Sequence, residues 1–108
     1  MSKFDYDLIV IGAGSGGTRT ARISASYGAK TLVVEGDRAG GTCVLRGCVP
    51  KKLLVYASQF SEQVSDAEGF CWQVKGYESN WGQLIKKKNK ELDRLHEIYV
   101  NLIKNRIC

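Results

Sequence analysis

The sequence predicts an α/β fold on three observations. A β-branched run ends in a cluster of glycines, a helix of small residues follows it, and a second apolar run closes on an acid. The run "DYDLIVI", residues 5–11, reads as a buried strand because it is short, β-branched and leads straight into glycines. "GAGSGG" turns the chain, and a helix is expected from about Gly16 to Tyr27, with Gly28 in the usual C-terminal position. "KTLVVEG" reads as a second strand ending at Glu35. Strand, helix and strand in so short a span make a βαβ unit with a right-handed crossover.

Beyond Glu35 the pattern is helical. "GDRAGGTC" reads as a loop, and a helix is expected over residues 43–65 with a disturbance near Pro50. "GFCWQV" fits either a short strand or an irregular connection. From Trp81 to about Lys104, Leu84, Ile85, Leu92, Leu95, Tyr99, Leu102 and Ile103 recur at steps of three, four and seven, which marks a long amphipathic helix. The closing "NRIC" reads as the approach to a further strand.

The composition narrows the function. With 108 residues, 44% hydrophobic and 25% charged, the chain suits one small soluble domain or part of a larger one. No apolar run approaches the roughly 20 residues that span a bilayer. The N-terminus lacks the basic start and cleavage site of a signal peptide, so a cytoplasmic location is expected. Sixteen Lys and Arg against 11 acids leave a net charge of +5, much of it in "IKKKNKELDR" on the long helix. That run reads as a solvated face followed by offsetting acids, and no nucleic-acid motif accompanies it. Neither nucleic acid nor a membrane is an expected partner.

Gly12, Gly14 and Gly17 spell G-x-G-x-x-G. The pattern alone is common, but here a strand precedes it, a helix follows, and an acid ends the next strand. Gly12 permits the tight turn, Gly14 lets a pyrophosphate approach the backbone, and Gly17 lets helix and strand pack closely. The helix start offers unpaired N–H groups and its positive dipole end to phosphates. Glu35 stands near the roughly 20-residue distance expected of the acid that binds a ribose hydroxyl. An acid there repels a 2′-phosphate, so the loop suits FAD or NAD. The fold is therefore expected to be an incomplete Rossmann-like one, an N-terminal βαβ unit plus helices.

Four cysteines, Cys43, Cys48, Cys71 and Cys108, could form two disulfides in a secreted miniature fold, but the apolar content and the start of the chain argue against that. A metal site at Cys43 and Cys48 is disfavoured, since Cys71, His96 and Cys108 make no second ligand pair. Geometry limits the disulfide reading. In an ideal helix, residues i and i+5 lie roughly 8–9 Å apart at Cα, whereas a disulfide needs less than about 7 Å. If the two cysteines pair, the helix between them must be distorted. Gly47 lowers that cost, and Pro50 cannot donate to the Arg46 carbonyl. A staple closing so small a loop constrains little of the unfolded chain, so redox chemistry is the preferred reading.

"GAGSGG", then Glu35, then "GGTCVLRGCVPKK" resemble the FAD-dependent pyridine nucleotide–disulfide oxidoreductases. The similarity continues through "LLVYAS" and "LDRLHEIYVNL" and covers nearly the whole chain. "GCVPKK" is closer to the branch that reduces glutathione disulfide, in its bacterial and plant-type form, than to the dihydrolipoamide branch. The resemblance implies that Gly12, Gly14, Ser15, Gly16, Gly17, Glu35, Thr42 and Cys43 contact FAD. It makes Cys48 the thiol facing the flavin and Cys43 the outer thiol that attacks glutathione disulfide. Lys51 matches the lysine beside the flavin ring, Arg22 and Tyr99 match positions lining the glutathione site near Ser15, and Lys52 reads as structural.

The reaction so implied passes electrons from NADPH through FAD and the Cys43–Cys48 pair to glutathione disulfide. Related substrates, namely trypanothione, thioredoxin, mercuric ion and dihydrolipoamide, remain the alternatives, as does a truncated non-catalytic product. By this resemblance the 108 residues are expected to be the N-terminal part of an FAD-binding domain, without the NADPH-binding and dimerisation domains of the full-length homodimer. The 108 residues alone are expected to lack turnover. His96, the sole histidine, does not match the family's catalytic position and reads as an ordinary helix residue.

Overall fold

A computed structural model describes residues 3–104. Strand β1 (Leu8–Ile11) leads into helix α1 (Ser15–Ser26) and strand β2 (Thr31–Val34). Helices α2 (Gly41–Leu45), α3 (Cys48–Ala67) and α4 (Trp81–Lys104) follow, with a 3₁₀ turn over Glu68–Phe70 after α3. The strands pair in parallel, from Leu8 opposite Thr31 to Ile11 opposite Val34. With α1 as the crossover, this is the expected βαβ unit.

The first strand is shorter than its apolar run suggests. It starts at Leu8, because Asp7 is spent on the turn into β2: its N–H donates to the Lys30 carbonyl and its carboxylate accepts the Lys30 N–H, both at 2.8 Å. Helix α1 ends as its sequence indicates, with Gly28 at φ 93° in the left-handed region that suits a helix C-terminus.

The disturbance in the next helix lies at Arg46 and Gly47, just before Pro50 and between the two cysteines, where their pairing requires it. Pro50 is the third residue of α3 and is buried. In a first helical turn its missing N–H is no loss, so it sits easily there. "GFCWQV" contains no strand: the chain passes through the 3₁₀ turn and runs irregularly to Asn80. Helix α4 has the expected bounds. "NRIC" lies outside the described residues.

The core is small. Val10, Ala13, Ala21, Ala39, Val44 and Leu92 form it, where β1, α1, α2 and α4 meet. Helix α1 covers the Val10 side of the sheet, while Ile9 and Ile11 on the opposite side are 56% and 88% exposed. Phe60 on α3, Trp81 at the start of α4, and Trp72 and Tyr77 in the connection between them are largely exposed. The molecule is therefore long, 75 × 25 × 18 Å, with a radius of gyration of 20.7 Å. A compact chain of this length would have about 13 Å. None of the described helices is long and apolar enough to cross a membrane.

Candidate functional site

The glycine loop has the geometry its spacing requires. Gly12 turns the chain at φ 103°, and its N–H donates to the Val34 carbonyl at 2.7 Å. A Cβ on Gly17 would stand 1.8 Å from the Gly12 carbonyl oxygen, so α1 can approach β1 only with glycine there. Gly14 precedes the first turn of α1, where no side chain caps the helix and no acid is present. The N–H groups of that turn are open to an anion. Ser15 and Gly16 lie exposed beside them.

Glu35 reaches back to this loop. Ala13 N–H donates to its Oε2 at 2.6 Å and Asp37 N–H to its Oε1 at 3.0 Å. These backbone donors, Ala13 first, hold the carboxyl below the usual carboxylate range. Each carboxylate oxygen has a second lone pair, and Glu35 is exposed. It can therefore still accept from the hydroxyls of a ribose.

A second glycine turn meets the first. Gly40 and Gly41 take φ 121° and 65°, and a Cβ on Gly41 would stand 2.6 Å from the Gly14 Cα. Gly40 N–H donates to the Ala13 carbonyl at 2.8 Å. The hydroxyl of buried Thr18 donates to the same carbonyl at 3.2 Å. The turn leads directly into α2, with Thr42 exposed and Cys43 half-buried. Thr42 and Cys43 thus begin where the second glycine turn meets the first.

Cys43 and Cys48 form a disulfide with their Cα atoms 4.6 Å apart. An unbroken helix would keep them well beyond that. The break supplies the difference: α2 stops at Leu45, Gly47 takes φ −134° and ψ −104°, and Cys48 opens α3. A Cβ on Gly47 would come within 3.1 Å of the Thr42 carbonyl oxygen, so this close return also favours glycine. Cys48 is the first residue of α3 and so stands at a helix N-terminus. Lys51 is exposed in the same turn of α3.

Arg22 and Tyr99 lie on α1 and α4, which pack together. Arg22 buries its Nε without a hydrogen-bond partner, and Tyr99 is half-buried. Lys52 extends over the Tyr56 ring at 5.5 Å, in keeping with a structural role. Among the described residues no cluster of three or more potential metal ligands occurs.

Three polar contacts escaped the sequence reading, two of them because they join distant segments. His96 Nδ1 donates to the Ala39 carbonyl at 2.9 Å. Arg38 pairs with Asp93 at 2.7 Å, and Arg46 pairs with Asp37. Asp93 and His96 are one turn apart on α4, a spacing that could have signalled a shared face.

The family model for pyridine nucleotide-disulphide oxidoreductases matches residues 6–106. The chain belongs to this family. It is similar to the glutathione reductase of Burkholderia cepacia, 54% identical over 97% of this chain and 23% of that protein. The glutathione reductase of Nostoc sp. is 52% identical over 93% of the chain and 22% of its own length. The chloroplastic/mitochondrial glutathione reductase of Pisum sativum is 47% identical over 95% and 21%. The chain thus spans less than a quarter of the length of these relatives. Within the pyridine nucleotide-disulphide oxidoreductases, its βαβ unit is part of a Rossmann-like fold.

Proposed function

We propose that this chain is the N-terminal part of the FAD-binding domain of an NADPH-dependent reductase of glutathione disulfide. The observation that carries the reading is the contact between the two glycine turns. It joins the glycine loop to the disulfide-bearing helix pair at one backbone junction, which supports reading the two as parts of one site. The names of the similar proteins favour glutathione disulfide over the other disulfide substrates of related enzymes.

The residues fit the cofactor. Gly12, Gly14, Ser15, Gly16 and Gly17 present an uncapped helix start to a pyrophosphate, and Glu35 has lone pairs left for a ribose. Thr42 and Cys43 continue the same surface. FAD, when bound, supplies a two-electron carrier between NADPH and the cysteine pair. Lys51, a helical turn from Cys48, places a cation where negative charge on the reduced ring would be stabilised.

The cysteines perform thiol–disulfide exchange. The Cys43 thiolate attacks one sulfur of glutathione disulfide and expels the other as a glutathione thiolate. The Cys48 thiolate then attacks Cys43 and re-forms the Cys43–Cys48 bond, releasing the second glutathione. Two electrons leave the dithiol, and its two protons end on the two glutathione thiols. Arg22 and Tyr99, with Ser15, contribute to the glutathione side of the site.

Addition of FAD to the purified chain tests the reading. Visible flavin absorbance that stays with the protein through gel filtration is expected, with weaker retention in Glu35→Ala. Retention equal in wild type and a Gly14→Val variant would defeat it.

A further inference from the structure

We propose that His96 is a positioning residue for the nucleotide site, locking the peptide unit between Ala39 and Gly40 through the hydrogen bond from its Nδ1 to the Ala39 carbonyl. The inference rests on the reading of the glycine loop as a flavin site. The Ala39 carbonyl and the Gly40 N–H belong to one peptide plane, so neither can turn without the other. That plane is held at both ends. His96 Nδ1–H, from α4, donates to the carbonyl at 2.9 Å, and the N–H donates to the Ala13 carbonyl of the glycine loop at 2.8 Å.

Without the histidine, little in the local chain fixes this plane. Gly40 has φ 121° and no side chain to oppose a peptide flip. A flip would withdraw the donor from Ala13, whose own N–H is held by Glu35. It would also shift Gly41, whose Cα packs on Gly14, and with it Thr42 and Cys43. Ala39 and Gly40 are both buried, so a carbonyl deprived of its donor would not regain one from solvent without opening the structure. Leu92 and Asp93 brace the same junction, one in the core and the other on Arg38.

The chemistry of the donor provides the test. An asparagine amide nitrogen can occupy the place of histidine Nδ1, whereas a glutamine nitrogen corresponds to Nε2 and lies too far out. His96→Asn, His96→Gln and His96→Leu are compared with wild type by hydrogen exchange at the Gly40 amide and by FAD titration. His96→Gln and His96→Leu should exchange Gly40 about tenfold faster and bind FAD about tenfold more weakly. His96→Asn should match wild type in both. If His96→Leu does not fold, His96→Gln carries the comparison. Equal exchange in every chain overturns the proposal, and so does an Asn variant as impaired as Gln, since ring packing rather than the donor would then matter. If wild type takes up no FAD, the flavin reading fails by itself, and the Gly40 exchange rates still decide the role of His96.

Discussion

Gly41 lies against Gly14 so closely that a Cβ on Gly41 would stand 2.6 Å from the Gly14 Cα. The contact is backbone on backbone, so no side-chain rotation can relieve it. Gly41 also has φ 65°, where a side chain adds strain of its own. Gly41→Ala should therefore cost about 2 kcal/mol or more in urea unfolding. Gly36→Ala is the control: nothing lies within 4 Å of its added Cβ, and its midpoint should change little. Equal midpoints for the two variants would contradict the contact.

The cysteine pair predicts a pattern of alkylation. Before reduction, the peptide carrying Cys43 and Cys48 should resist iodoacetamide while exposed Cys71 reacts. After mild reduction both should react. Gly47→Val should shift the pair toward the dithiol, because the added side chain meets the Thr42 carbonyl and opposes the return that brings the two Cα atoms together. Mass spectrometry after alkylation in a graded glutathione buffer reads this directly. Resistance to reduction unchanged by Gly47→Val would refute the dependence on the break.

The elements with local causes were legible in the sequence. The glycine spacing, the apolar period of α4 and the stop at Gly28 each depend on residues close in the chain. The site was legible as far as its motifs reached: Gly12, Gly14, Gly17, Glu35, Cys43 and Cys48 all fall at one junction. One detail was read less well for a physical reason. Pro50 is a helix breaker only away from a first turn, and the sequence alone did not show that a new helix begins at Cys48. The bond from His96 to Ala39 and the seat of Gly41 on Gly14 are tertiary contacts, with no periodic signal to announce them.

Among the contacts that hold helix α4 are one buried leucine and a surface ion pair, and these two should differ sharply in weight. Leu92 is 6% exposed in a core of mostly small residues. Leu92→Ala should cost about 2–5 kcal/mol through lost transfer and a cavity. Asp93→Ala removes only the exposed pair with Arg38. It should cost at most about 1 kcal/mol, and less at high salt. Thermal midpoints of the two variants at low and high salt check the order. A larger loss for Asp93→Ala would mean that the ion pair, not the leucine, fixes α4.

Glu35 should make stability depend on pH in a defined direction. The Ala13 and Asp37 N–H groups hold its carboxyl below the ordinary carboxylate value in the folded chain. A depressed native pKa means that the unfolded chain takes up the proton first as pH falls. The stabilisation is therefore complete above the ordinary carboxylate range and is lost as pH drops through the lower native value. Glu35→Gln keeps the shape but carries no charge to hold the two donors. The variant should be less stable than wild type at neutral pH, and the gap should close in acid. Urea midpoints of both proteins across a series of pH values measure it. A gap that stays constant or widens in acid would show that the carboxylate is not anchored to the glycine loop.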